Sequence, residues 1–252
     1  MGFLDGRTAL VTGGGQGVGR GIALALAAEG AAVALAGRTE GKLDGVAEEI
    51  KDRGGRAMTV VCDVKDADAL AACVDEAASR LGGIGILVNN AQQSLLGTVL
   101  GVTEEDLDAA WRSGPLAAFR LMRLCHPYLQ AANGVVINLG SSAAVNPAPT
   151  DRGVYGALKA AMAGLTRAAG TEWGPDGIRV ITVMPAATSA GSEAYARNSP
   201  ELYARSLESI PLRRLGDAEQ DIGRFVALLC GPDGAYLTAT TIALDGGQAY
   251  LR

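Results

Sequence analysis

Residues 7–28 read RTALVTGGGQGVGRGIALALAA, and three features of this stretch decide the fold. Arg7 to Val11 is a short β-rich run, Thr12 to Gly19 is a glycine-rich turn, and Ile22 to Ala28 is a strong helix former. A strand that runs through glycines into a helix makes a phosphate site. The glycines let the backbone come close, and the helix N-terminus offers free N–H groups and a partial positive charge. Glycine-rich turns also mark ordinary loops, but this one lies inside the first βαβ unit, the context that a dinucleotide motif requires.

Working outward, the alternation of strand and helix repeats. Ala31 to Ala36, Ala57 to Val61, Ile84 to Val88, Val135 to Leu139, Ile178 to Val183 and Thr240 to Leu244 are predominantly apolar runs of strand length. Such strands belong to a sheet covered on both faces. Helical stretches near residues 40–53, 66–81, 103–130, 153–173 and 217–229 are long enough to cross over between parallel strands. The expected fold is α/β, a doubly wound, Rossmann-type, mostly parallel sheet with helices on both faces. No linker, low-complexity tract or composition shift divides the chain, so residues 1–252 form one expected domain. Residues 186–210 break the alternation after a strand, where a substrate lid would sit; a solvated surface excursion is the alternative.

Composition narrows the function. The 252 residues carry 22 basic and 27 acidic side chains, so the net charge is 22 − 27 = −5. With 48% hydrophobic and 19% charged residues, the chain has ample material for a core. The acidic balance, the lack of a basic run and only 2 Trp, 6 Tyr and 3 Phe argue against a nucleic-acid partner. His126 is the single histidine, so a triad or multi-His metal site is not expected, and no metal is. Cys62, Cys73, Cys125 and Cys230 are widely spaced, which fits reduced, buried cysteines in a cytoplasmic protein. Adjacent Cys125 and His126 would point to different sides of a helix, which disfavours a dyad. Met1 to Gly6 lacks the basic and apolar regions of a secretory signal, and Gly6 stands where a myristoylation motif wants Ser or Thr. The uncharged run Leu81–Thr103 has Asn89, Asn90, Gln92 and Gln93 in its middle, so it reads as strand, loop and helix entry, with no membrane partner.

Thr12, Gly13, Gly17 and Gly19 match T-G-x-x-x-G-x-G, and here the chain resembles the short-chain dehydrogenase/reductase family. Further matches follow in order along nearly the whole length. Asp63 before Val64 resembles the family's adenine-contacting Asp, and Asn89-Asn90-Ala91 resembles its N-N-A-G, with Gln92 in place of the glycine. Tyr155 and Lys159 match the catalytic pair, Pro185 the proline after strand 6, and Asp245-Gly246-Gly247 the closing D-G-G. The resemblance implies dinucleotide contacts from Gly13, Gln16, Gly17, Val18, Gly19, Arg38, Asp63, Val64, Asn90, Ala91, Tyr155, Lys159, Pro185 and Thr188. It also implies a homo-oligomer, a dimer or tetramer built on the long fourth and fifth helices. Ala157, Ala160, Ala161 and Gly164 would permit close helix packing there, or would face the sheet.

The Tyr/Lys pair also makes sense from spacing, since residues four apart share a helix face. A phenol has a pKa near ~10, and Lys159 together with the oxidised nicotinamide is expected to draw it down. In the family a serine after strand 5 holds the substrate oxygen. Ser141 is the expected residue in Asn138-Leu139-Gly140-Ser141-Ser142, with Ser142 the alternative. The catalytic set is then Ser141, Tyr155 and Lys159.

Two further positions depart from the family pattern. Its Asn in the long fourth helix falls on Gly114, next to Pro115; the expectation is that Gly-Pro keeps a kink there, since proline removes a helix hydrogen bond. The rival reading is a weakened proton relay, hence a dinucleotide-binding protein with little turnover. The family's nicotinamide-contacting Thr is replaced by Ala190, so Thr188 or Ser189 would take over that contact.

At the end of strand 2, Gly37 stands where an acid would bind the ribose of NAD, and Arg38 offers a partner for a 2′-phosphate. NADP(H) is therefore favoured and NAD(H) possible, with Arg38 then a solvated charge. The expected function is hydride transfer between NADP(H) and the carbonyl or secondary alcohol of a small molecule. Reduction of carrier-bound 3-oxoacyl chains ranks below it, because Leu124 to Ala132 offers no Lys or Arg to an acidic carrier.

Overall fold

The computed structural model describes residues 2–146 and 150–249; Met1 and residues 250–252, the ends of the expected domain, lie outside them. Seven strands form one sheet: β1 (Thr8–Thr12), β2 (Ala32–Gly37), β3 (Arg56–Val61), β4 (Ile86–Asn89), β5 (Val135–Leu139), β6 (Arg179–Pro185) and β7 (Thr240–Leu244). Their order across the sheet is β3-β2-β1-β4-β5-β6-β7, and every neighbouring pair is parallel.

Each crossover is helical: α1 (Gly17–Ala28), α2 (Glu40–Asp52), α3 (Ala67–Leu81), α4 (Glu104–Ser113), α5 (Pro115–Ala131) and α6 (Gly153–Glu172). After β6 come α7 (Ala190–Asn198) and α8 (Pro200–Glu208), then a π-helical turn over Ala218–Gly223 that leads into α9 (Arg224–Cys230).

Alternate strand residues point to opposite faces. Ala9, Val11, Val33 and Leu35 join one core with α1, α2 and α9, while Leu10, Ala34 and Ala36 join a second with α3, α5 and α6. Both faces are therefore covered, as apolar strands require. α1 and the π turn meet through glycines. A Cβ at Gly21 would stand 2.2 Å from the Ala218 carbonyl carbon, and one at Gly223 would stand 2.4 Å from the Gly21 oxygen.

Two expectations change. The helix expected over 103–130 is two helices, broken at Gly114 (φ −108°, ψ −95°), with Pro115 at the first position of α5, where its missing N–H costs nothing. This is the interruption expected from Gly-Pro. The helix expected over 217–229 begins instead as the π turn, whose start is capped by the Asp217 carboxylate on the Glu219 and Gln220 amides. Residues 186–210 hold two short helices joined by an edge-to-face contact of Tyr195 and Tyr203, with ring centroids 6.0 Å apart.

Candidate active site

In a parallel sheet, ligands bind beyond the carboxyl ends of the strands, where the strand order reverses; here that place lies between β1 and β4. Thr12 locks the two ends together. Its hydroxyl donates to the Val88 carbonyl (3.2 Å) and accepts from the Asn90 and Ala91 amides (3.1 Å each). The Asn90 side chain donates to the Thr12 and Gly13 carbonyls (2.9 and 3.2 Å), so it braces the glycine turn.

The turn depends on its glycines. Gly13 (φ +65°) and Gly17 (φ +54°) have left-handed backbone, which side chains rarely adopt. A Cβ at Gly19 would stand 2.3 Å from the Gly13 oxygen, so α1 seats on the turn only without one. At Gly17 a Cβ would meet nothing within 4 Å, leaving the start of α1 open to a ligand.

A cleft of about 450 Å³ extends from this turn. Gly13, Gln16, Gly17 and Val18 line one end, Arg38 and Lys42 lie at the β2–α2 junction, and Asp63, Val64, Asn90 and Ala91 form the opposite wall. Arg38 is exposed and has no ion pair among the described residues. Lys42 Nζ donates to Gln16 Oε1 (2.6 Å), which places a second cation beside it. Sequence reasoning missed Lys42, because only the seating of α2 against the turn brings it there. Asp63 Oδ1 accepts from the Lys65 amide (3.0 Å), which fixes the carboxylate at the cleft wall. An open glycine cradle, a free helix N-terminus and two cations fit a phosphorylated dinucleotide.

Tyr155 and Lys159 lie one turn apart near the start of α6, with Nζ 5.5 Å from the Tyr155 ring centroid. Lys159 is 4% exposed, and its Nζ donates to the Leu139 carbonyl at 2.6 Å. Burial pushes this lysine down to about 7. The phenol is also shifted, but upward. Burial raises Tyr155 above its ordinary value, and Arg152 pulls it only partly back. In the chain alone, burial therefore sets the direction of the phenol's shift, because the same dry environment that would strengthen the ammonium's field penalises both charged forms.

Ser141 caps a single 3-10 turn after β5, its hydroxyl accepting from the Ala143 amide (3.2 Å). Ser142 instead donates to Gln248 (3.3 Å). A Cβ at Gly156 would stand 2.2 Å from the Ala143 oxygen, so this turn rests directly on α6 one residue from Tyr155. Pro185 ends β6, and the Thr188 amide bonds the Gly216 carbonyl (2.9 Å), while Ser189 caps α7 through the Ser192 amide (3.2 Å). That cap occupies Ser189 and leaves the Thr188 hydroxyl as the candidate, with no hydrogen bond among the described residues. Ser141, Pro185 and Thr188 stand at the ends of β5 and β6, outside the lining of this cleft.

The remaining sequence candidates are structural. His126 Nε2 lies 3.2 Å from Asp176 and meets the Trp173 ring edge-on at 4.8 Å. Cys125 is buried, with its thiol pushed up to about 12, which rules out a reactive thiolate.

Comparison with known proteins agrees with this geometry. The family model described as Enoyl-(Acyl carrier protein) reductase matches residues 13–249. A 12alpha-hydroxysteroid dehydrogenase of Clostridium sp. is 40% identical over 256 residues, covering 98% of each chain. A solved short-chain dehydrogenase/reductase from Serratia marcescens superposes with a TM-score of 0.91 at 30% identity, covering 98% of this chain and 99% of that one. A blue fluorescent protein from a metagenomic library, solved with NADPH, gives 0.90 at 30% identity over the same shares.

Proposed function

The chain belongs to the short-chain dehydrogenase/reductase family, oxidoreductases acting on CH–OH groups, and from that premise we propose that it interconverts a ketone and a secondary alcohol with NADP(H). The observation that carries the cofactor choice is the pair of cations, Arg38 and Lys42, beside Gly37, where an acid would repel a 2′-phosphate. NADP(H), when bound, supplies or accepts the hydride. Gly13, Gln16, Gly17, Val18 and Gly19 would hold the pyrophosphate, and Asp63, Val64, Asn90 and Ala91 the adenosine side. Lys159 would hold the nicotinamide ribose, and Pro185 and Thr188 the carboxamide.

Tyr155 donates a proton to the carbonyl oxygen in reduction and takes it back in oxidation, while Ser141 hydrogen-bonds that oxygen. The buried phenol stays protonated near neutrality, which suits the acid role. Lys159, protonated, supports the phenolate once the proton has left.

The substrate is a bulky apolar molecule. Leu96, Val99 and Leu100 on the loop after β4 are 61%, 81% and 99% exposed, and α7 and α8 after β6 expose Tyr195 and Leu202. These two segments flank the carboxyl edge of the sheet as an apolar rim, with 186–210 as the lid. The hydroxysteroid activity in the name of the Clostridium relative supports such a substrate. Exposed Trp111, Phe119, Ala157 and Ala160 on α4, α5 and α6 do not face the sheet, and they offer a face for pairing with a second copy.

The test is NADPH oxidation and NADP reduction over a panel of apolar ketones and secondary alcohols. Turnover that disappears in Tyr155→Phe while NADPH binding persists is the expected result. Full turnover in folded Tyr155→Phe, or binding with no turnover on any substrate in the wild type, overturns the reading.

A further inference from the structure

Among the described residues, four buried side-chain nitrogens or oxygens have no partner: Arg7 Nε, Asn89 Oδ1, and both ends of the Gln92 carboxamide. Three of these atoms belong to two residues that line one small cavity beneath the cleft, of about 10 Å³, with Thr12, Gly114 and Lys159 also in its wall. Folded proteins rarely leave buried polar atoms unpaired, and a cavity of this size holds about one water when polar groups converge on it. Lys159 is among them: its ammonium carries three N–H groups, and Leu139 takes one.

Gln92 is there because of Gly114. A Cβ at position 114 would stand 2.7 Å from Gln92 Cδ and 2.9 Å from both its Nε2 and its Oε1. The carboxamide thus fills the space that any side chain at 114 would need, at the break between α4 and α5. Gln92 and Gly114, two of the departures from the family pattern and 22 residues apart, are one contact.

We propose that Gln92 is a positioning residue for Lys159: its carboxamide, admitted by Gly114, holds one water against Asn89 Oδ1 and the Lys159 ammonium. Three polar partners then meet that water, and the ammonium gains a second acceptor without a charged neighbour. Tyr155, on the same helix, is the titratable group beside Lys159; Thr12, Asn89, Ala91, Gln92 and Gly114 face it across the cavity from β1, β4 and the helix break, and Met162 from α6. None of these carries a charge, so the carboxamide and its water are what stabilise the protonated lysine from that side. Gln92 also lines the dinucleotide cleft, which places it between Lys159 and the cofactor. The inference rests on the assignment of Lys159 to the active site.

The test follows Lys159 itself, in protein labelled with 15N at lysine Nζ and titrated by NMR without dinucleotide. Its signal is identified by its loss in Lys159→Met. Gln92→Met keeps the length and removes the carboxamide; it should lower the Lys159 protonation constant about tenfold, one pKa unit. Gln92→Glu puts a charge in the same place and should raise it. A role in packing alone predicts no fall in Gln92→Met, whereas a carboxylate at position 92 raises Lys159 in either case and reports that the two side chains are close. Unchanged Lys159 titration in Gln92→Met overturns the proposal, and if that variant does not fold, Gln92→Leu decides in its place. In the enzyme assay, Gly114→Asn should lose most activity through its clash with Gln92; full activity in that variant also overturns the proposal. A wild type that turns over no substrate refutes the proposed function but leaves the titration to decide this inference.

Discussion

Lysine in an unfolded chain titrates near 10.5, and burial takes Lys159 down to about 7. Below pH 7 the ammonium is present in both states, and the folded protein bears the whole cost of drying it. Above about 10.5 it is neutral in both, and the cost is gone. Between these limits the unfolded chain binds the extra proton, so stability must rise with pH at up to about 1.4 kcal/mol per pH unit. Allowing for half-protonation at the start, the gain from pH 7 to pH 9 is about 2 kcal/mol. Lys159→Met keeps the buried chain and removes the titration. Urea unfolding of both proteins without dinucleotide, at pH 7, 8 and 9, isolates the effect because the other groups are shared. The wild type should gain about 2 kcal/mol on the variant over this range. Parallel stability curves would refute the reasoning, and with it the picture of Lys159 as a charge held in a dry site.

Three further outcomes follow from the geometry. Arg38→Ala and Lys42→Ala should each weaken NADPH about tenfold, the low end for an exposed charge-assisted bond, and leave NADH unchanged; equal losses for both dinucleotides would remove the 2′-phosphate assignment, and fluorescence titration reads this directly. Ser141→Ala should lower kcat at least tenfold, while Ser142→Ala, which loses a bond to Gln248, should lower only the melting temperature; the opposite pattern would exchange their roles. Gly223→Ala should cost about 2–3 kcal/mol in urea unfolding, since its Cβ would press on the backbone of α1, and a neutral substitution would show that this crossing gives way.

Much of this was legible from residue order. Seven apolar runs separated by helical stretches leave a doubly wound sheet as the economical arrangement, and the glycines between β1 and α1 mark where it binds phosphate. The break at Gly114 was legible too, because proline acts through its own backbone. What escaped depends on packing between segments. Lys42 joins the cleft only through the seating of α2 against Gln16. The π turn forms where two glycines let α1 and Gly223 approach backbone to backbone. Gly114 taken singly reads as a weakened relay and Gln92 as a gap in a motif, since a one-dimensional pattern does not show that one side chain fills the space vacated by the other. The upward shift of Tyr155 was missed for a related reason: spacing shows which charges are neighbours, and burial decides what their charge costs.

The strand order also has a consequence for how the chain is made. Thr8 finds its β2 partner at Ala32, but Ala9 must wait for Ile86. During synthesis the central strand therefore spends an interval with one edge unpaired and its apolar side chains uncovered, the condition under which parallel sheets fold slowly and aggregate. The pyrophosphate turn is braced by Asn90, immediately after β4, so dinucleotide binds only chains that have closed this seam. A ligand at 100 times its Kd adds about 2.7 kcal/mol to the state that binds it. Dinucleotide present during refolding is thus a selective trap for chains that have joined their two halves, and the yield of soluble protein should rise with its concentration.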